Sequence, residues 1–142
     1  TVCGYTPFDG AEYDYYTTTK GILEKVKTHA GDVDFEVQPE LLSLFSNRDF
    51  GRYAGKKGEM NVCFISNNDI TGGNSGSAMF NARGELLGLA FDGNWEAMSS
   101  DILYEPKMQR CIGVDVRYIL FMIEKYGKAG DLIRELKIVS GK

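Results

Sequence analysis

Residues 67–77 read Asn-Asn-Asp-Ile-Thr-Gly-Gly-Asn-Ser-Gly-Ser, which sets Ser75 in a run framed by Gly72, Gly73 and Gly76. A serine hydroxyl held in a glycine-rich loop suits nucleophilic acyl transfer. The hydroxyl attacks a carbonyl carbon, and inward-turned backbone N–H groups take up the negative charge that develops on the carbonyl oxygen. Gly73 and Ser75 are placed to supply those N–H groups, while Gly72 and Gly76 let the chain bend without a Cβ clash. The same residue types also make an ordinary surface turn between two strands, so the flanking chain decides between the two.

Residues 77–80 are a short, mostly apolar run, Asn81-Ala82-Arg83-Gly84 is turn-like, and residues 85–91 form a second apolar run. Together they predict a β-hairpin. With the turn centred on Ala82 and Arg83, Asn81 faces Gly84, Ser75 lies near Ala90, and Gly73 lies near Asp92. The hairpin would thus bring Phe91, Asp92 and Gly93 beside the serine loop as one wall of a peptide-binding pocket. An Asp that ends an apolar strand is commonly a turn former or a cap. In a groove, its carboxylate would suit the N-terminal ammonium of a substrate.

The elements that must position these residues are short. Apolar runs at 1–6, 13–18, 21–26, 33–37, 61–66, 77–80, 85–91 and 109–114 alternate with Gly, Asn and Asp clusters, which predicts a β-rich body through residue 114. One helix is expected at 39–45, where Pro39 suits a first helical position and Leu41, Leu42, Leu44 and Phe45 give an apolar side. From Asp115, a good N-cap, residues 116–126 have helical period and Gly127 stands where a left-handed C-cap would. A second short helix is expected at 131–136, so residues 115–142 read as a helical segment packed on the β-rich part.

Composition narrows the function classes. With 142 residues, 43% of them hydrophobic and 25% charged, the chain can bury a core as one domain. The net charge is −4 and no Lys or Arg run exceeds a pair, which argues against sequence-independent nucleic-acid binding. The longest strongly apolar stretch, 118–123, is far short of the roughly 20 residues of a spanning helix. The opening Thr1-Val2-Cys3-Gly4-Tyr5 reads as the inside of a structured chain, so a fragment or processed product is expected. Cys3, Cys63 and Cys111 lack CxxC spacing. They read as three buried thiols, with Cys63 to Cys111 the one pairing worth testing because both lie in strand-like runs.

The stretch 68–109, with Asn-Asp-Ile-Thr-Gly-Gly-Asn-Ser-Gly-Ser at its head and Ala-Phe-Asp-Gly-Asn-Trp-Glu-Ala-Met-Ser at 90–99, resembles the bacterial S46 dipeptidyl peptidases. Tyr-Thr-Thr at 16–18, Asp-Phe-Gly-Arg-Tyr at 49–53 and Val-Asp-Val-Arg-Tyr-Ile-Leu-Phe at 114–121 extend the resemblance through nearly the whole chain. That family is similar to double β-barrel serine proteases of the chymotrypsin type with a large inserted helical domain, and its members release dipeptides from free peptide N-termini. The resemblance implies a mainly β fold with C-terminal α-helices, in which residues 1–114 are the second, six-stranded-type β-barrel. It makes Ser75 the nucleophile, Gly73 and Ser75 the oxyanion N–H donors, Asp92 the anchor of the substrate α-ammonium, and Gly93 with Phe91 the lining of the penultimate side chain's pocket. Members with Gly there favour apolar side chains and members with Arg favour acidic ones, since Arg supplies a cation and Gly leaves space. Gly93 thus implies a hydrophobic preference. No cofactor and no metal are implied. The implied partners are oligopeptides, the remainder of a parent chain carrying the first barrel and helical domain, and a second copy in a homodimer. The implied location is the periplasm or cell surface of a Gram-negative bacterium.

Some residues depart from a complete enzyme. The sole histidine, His29, lies in the polar stretch 25–31, expected to be a surface loop. The catalytic His and Asp of this fold come from the first barrel, so the chain alone is expected to be inactive. Ala78 stands where many relatives carry Pro. Asp69, six residues before Ser75, matches the offset at which trypsin-like enzymes select basic side chains, which keeps a trypsin-like endopeptidase half as a competing reading; a role in tying the loop is the other. A catalytically inactive peptide-binding module and a small structural β-barrel are further alternatives.

Overall fold

The computed structural model describes residues 1–7, 9–55, 57–100 and 102–139. The chain sorts into two compact units. One comprises Thr1–Thr17 and Val62–Val116, the other Thr18–Asn61 and Arg117–Lys142. Residues 18–61 thus lie in one unit with the C-terminal helices.

The sheet has strands β1 (Tyr16–Thr18), β2 (Asn61–Ser66), β3 (Ala78–Phe80), β4 (Leu86–Gly93) and β5 (Cys111–Asp115) in the order β1-β2-β5-β4-β3. It is mostly antiparallel and open, with β1 and β3 as its edges, so the six-stranded barrel expected of residues 1–114 is not closed within this chain. Too few strands remain to close it. Residues 1–6 make only isolated bridges, Val2 with Ser66 and Tyr5 with Tyr13, and the runs 21–26 and 33–37 are not strands. Phe64, Met79, Ala90 and Cys111 form the core under the sheet, with Tyr16, Ile70 and Leu87 packed against it. Cys63 pairs with Val114 and Cys111 with Ser66, so the two cysteines sit three positions apart in the ladder and all three thiols are free. The Cys63 to Cys111 bridge is therefore not made. Cys111 is buried, whereas Cys3 and Cys63 are half-buried.

The run 21–26 belongs to helix α1 (Thr19–Thr28). Ile22, Leu23 and Val26 recur at helical spacing, Lys20 pairs with Glu24 at 3.8 Å one turn on, and Lys25 and Lys27 lie in the last turn, where they complement the negative helix end. Residues Val33–Phe35 form a 3₁₀ turn whose cap is Asp32, accepting from the Asp34 N–H at 3.1 Å. Helix α2 (Pro39–Ser46) falls where expected. Its Phe45 packs on Tyr118 and Phe121, and Phe50 meets Phe121 edge-on. Helix α3 (Val116–Phe121) runs into a π-helical turn, Met122–Tyr126, and α4 (Gly130–Arg134) follows. Gly127 keeps a right-handed φ of −75°, and the left-handed residue is Lys128 at 55°, so the expected glycine cap does not form. Within this unit Glu124 accepts from both Arg52 and the Tyr53 hydroxyl, and Lys125 pairs with Asp49 at 2.8 Å.

The hairpin that carries the site has a three-residue loop. Asn81 N–H donates to Glu85 O at 3.0 Å and Gly84 N–H to Asn81 O at 3.0 Å, with Gly84 left-handed at φ 74°. The turn thus centres on Ala82 and Arg83 as expected, but the left-handed Gly84 adds a third loop residue, so Asn81 is paired across the hairpin with Glu85 and not with Gly84. A further irregularity between Met79 and Phe80 then pairs Ala78 with Leu89.

Candidate active site

The serine loop is shaped by its glycines and held by Asn74. Gly73 and Gly76 are left-handed, at φ 99° and 87°, whereas Gly72 is not, so the bend expected at Gly72 is made one residue later. The Asn74 side-chain oxygen accepts from the Thr71 N–H at 2.9 Å and the Thr71 hydroxyl at 3.3 Å. The Asn74 N–H donates to Thr71 O at 3.2 Å, and Asn74 O accepts from the Ser77 N–H at 2.9 Å. Reading the sequence missed Asn74; its place among glycines was the available signal, since Asn side chains tie turns to their own backbone.

The loop is stitched to β4 by Gly76 N–H donating to Ala90 O at 2.7 Å and Ala90 N–H donating to Ser77 O at 2.9 Å. Ser77, not Ser75, therefore lies beside Ala90, a correction of two positions that follows from the longer turn and the Met79/Phe80 irregularity. Ser75 instead reaches the next residue, its hydroxyl donating to Phe91 O at 3.4 Å. Opposite β5, Ala90 pairs with Gly113 and Asp92 with Ile112, which leaves Phe91 as the extra residue of a bulge. Bulges re-aim side chains next to functional sites. Ser75, Phe91, Asp92 and Gly93 all line one pocket of about 270 Å³, together with Ile70, Thr71, Gly72, Asn94, Ala97, Met98 and Ser100.

Among the described residues, the Gly73 and Ser75 N–H groups have no acceptor. Gly73 itself is not among the pocket's lining residues. Asp92 is exposed, and its carboxylate accepts the N–H of Gly93 at 2.8 Å; among the described residues no cation pairs with it. Asp69 accepts from the Ile70 N–H at 2.9 Å and does not line the pocket. His29 lies in the other unit, at the α1 C-cap and not in a free loop. Its Nδ1 meets the Thr28 hydroxyl at 2.9 Å and Lys25 O at 3.1 Å, and its ring stacks on Phe35 with centroids 4.0 Å apart. Among the described residues, no group of three His, Cys, Asp or Glu side chains is arranged to hold a metal.

The pocket's far wall is a 3₁₀ turn, Trp95–Ser99, fixed by Asn94. Asn94 N–H donates to Arg110 O at 2.9 Å, its side-chain oxygen accepts the Arg110 N–H at 2.8 Å, and its Nδ2 donates to Met108 O and Glu96 Oε2, each at 2.8 Å. The Tyr5 hydroxyl donates to the same Glu96 oxygen at 3.2 Å. Burial, with the Glu96 charge, raises the Tyr5 hydroxyl above its ordinary value against a bond from Asn94 that lowers it, so Tyr5 stays a donor.

The peptidase S46 family model matches residues 1–138. Dipeptidyl-peptidase 7 of Porphyromonas endodontalis is 57% identical over 141 residues, covering 99% of this chain and 17% of that protein. The Porphyromonas gingivalis dipeptidyl-peptidase 7 is 55% identical over 139 residues, covering 98% of this chain and 19% of that protein. An Asp/Glu-specific dipeptidyl-peptidase of Capnocytophaga gingivalis is 47% identical over 138 residues, covering 97% of this chain and 19% of that protein. The crystal structure of Porphyromonas endodontalis DPP11 in complex with dipeptide Arg-Glu superposes with a TM-score of 0.89 at 42% identity, over 94% of this chain and 19% of that one. The chain spans less than a fifth of the length of these relatives.

Proposed function

Because this chain belongs to the peptidase S46 family, we propose that it is the nucleophile-bearing segment of a serine exopeptidase that releases dipeptides from free peptide N-termini, with apolar side chains preferred at the penultimate position. The observation that carries the reading is that Ser75 and Asp92 line one pocket, with the Ser75 hydroxyl turned to the Phe91 carbonyl at 3.4 Å. A carboxylate that holds the substrate ammonium and a nucleophile that meets a carbonyl together fix how many residues lie between them, which is what an exopeptidase needs.

In this mechanism Ser75 Oγ attacks the second residue's carbonyl carbon and loses its proton to a base supplied by the parent chain. The Gly73 and Ser75 N–H groups stabilise the oxyanion, the peptide amine leaves with the proton, and water then hydrolyses the acyl-enzyme. The open sheet is then part of the second barrel of a chymotrypsin-type domain, and the first barrel carries the histidine and its orienting aspartate. Gly93 adds no charge to the pocket wall, which favours an apolar substrate side chain over an acidic one. The higher identity to the relatives named dipeptidyl-peptidase 7 than to the Asp/Glu-specific ones supports the same preference. Periplasmic or surface location and a homodimer complete the proposal.

The test is turnover of chromogenic dipeptide substrates by the family-length polypeptide containing this segment. Apolar penultimate residues should be cleaved faster than Asp, Glu, Lys or Arg, and Ser75→Ala should abolish turnover, by about 10⁶-fold in kcat. Peptide binding without turnover would favour the binding module instead. Cleavage within N-blocked peptides after Lys or Arg would favour the trypsin-like alternative.

A further inference from the structure

Gly93 is not left-handed, so its backbone does not require glycine. Space does. A β-carbon built on Gly93 would sit 2.9 Å from the Ala97 Cβ, closer than real carbon atoms pack, and 3.6 Å from Ile70 Cγ2. Neither backbone can retreat easily. Gly93 is held in the ladder opposite Cys111, and the Ala97 N–H donates to Asn94 O at 2.9 Å within the turn that Asn94 ties to Met108 and Arg110.

We infer that Gly93 and Ala97 are a coupled pair between which only one β-carbon fits, and that Ala97 is thereby a specificity-determining residue: it keeps position 93 free of a side chain and the pocket open to an uncharged, apolar substrate group. A charged side chain at 93, which would turn the pocket toward acidic substrates, can be seated in register only when position 97 gives up its β-carbon. The consequence for specificity rests on the peptidase reading above, whereas the steric coupling does not.

The experiment therefore has two arms, both on the family-length polypeptide. In the first, melting is compared for wild type, Gly93→Ala, Ala97→Gly and the double variant. The double variant should melt above Gly93→Ala, although Ala97→Gly alone brings no gain; additive losses would overturn the coupling. In the second, Gly93→Arg is compared with Gly93→Arg/Ala97→Gly on substrates with Asp or Glu at the penultimate position. Overpacking is relieved in the double variant, so its kcat/KM should exceed the single variant's by about tenfold or more. Equal values, with the single variant already switched, would overturn the role of Ala97. A wild type that cleaves no dipeptide substrate would sink the peptidase reading while the melting arm still decides the pair.

Discussion

Replacing Asp92 by Asn tests the exopeptidase reading at its most specific point. The substitution removes one negative charge and keeps shape, and the Asn side-chain oxygen can still accept the Gly93 N–H that Asp92 accepts at 2.8 Å. Folding should be little affected, since Asp92 is exposed. The electrostatic loss depends on how far bound peptide dries the groove. A contact pair at about 4 Å is worth roughly 1 kcal/mol in water and about 4 at an effective dielectric of 20. An exposed carboxylate with one oxygen already engaged belongs in the lower half, at about 1–2.5 kcal/mol, or roughly 5- to 70-fold in kcat/KM. The assay is kcat/KM for a free peptide and its N-acetylated counterpart, in the family-length wild type and Asp92→Asn, with melting as the folding control. The free peptide should lose and the acetylated one should not. An unchanged ratio of the two would reduce Asp92 to a turn residue.

The 142-residue chain alone should not hydrolyse dipeptidyl substrates, because its one histidine is capped on α1 and stacked on Phe35; turnover that vanishes in Ser75→Ala would show that a base was overlooked. Glu124 is held below its ordinary value of 4.5 by Arg52 first and Tyr53 second. The unfolded state thus binds the proton more readily, so Glu124 stabilises the fold above the ordinary value and ceases to as pH falls through its lowered one. Urea midpoints of the chain between pH 3 and 7 should rise less with pH in Glu124→Gln, and parallel curves would refute the pairing. Burial pushes the Cys63 and Cys111 thiols above their usual 9.0, so an aromatic disulfide reagent at pH 7.5 should label both slowly until the chain is denatured. Rapid native labelling of Cys111 would contradict its burial.

What could be read from the residues was mostly local. The serine loop announces itself because glycines are needed where Gly73 and Gly76 turn left-handed, and β2 and α2 carry clear patterns of their own. The run at 21–26 deceived because Ile22, Leu23 and Val26 fit a short strand as well as a helix; Lys20 and Glu24 one turn apart were the discriminating sign. The Phe91 bulge has no sequence mark, being set by how β4 meets β5. The tie made by Asn94 has no sign in the sequence either, since its partners lie at Met108 and Arg110, distant along the chain. Gly93 was legible as a gap, but not the Ala97 methyl beside it, since that proximity exists only once the 3₁₀ turn folds back.

The hairpin loop at Asn81 and Glu85 also works as a ruler. Counting from it, strand by strand, is what puts Ser75 alongside Phe91 and Asp92 rather than their neighbours. Because side chains alternate along a strand, adding or deleting one residue among Ala82, Arg83 and Gly84 would exchange the face that each site residue presents. A surface turn several residues from any chemistry would thus tolerate changes of residue far better than changes of length, and descendants of this gene should be freer to edit its letters than its count.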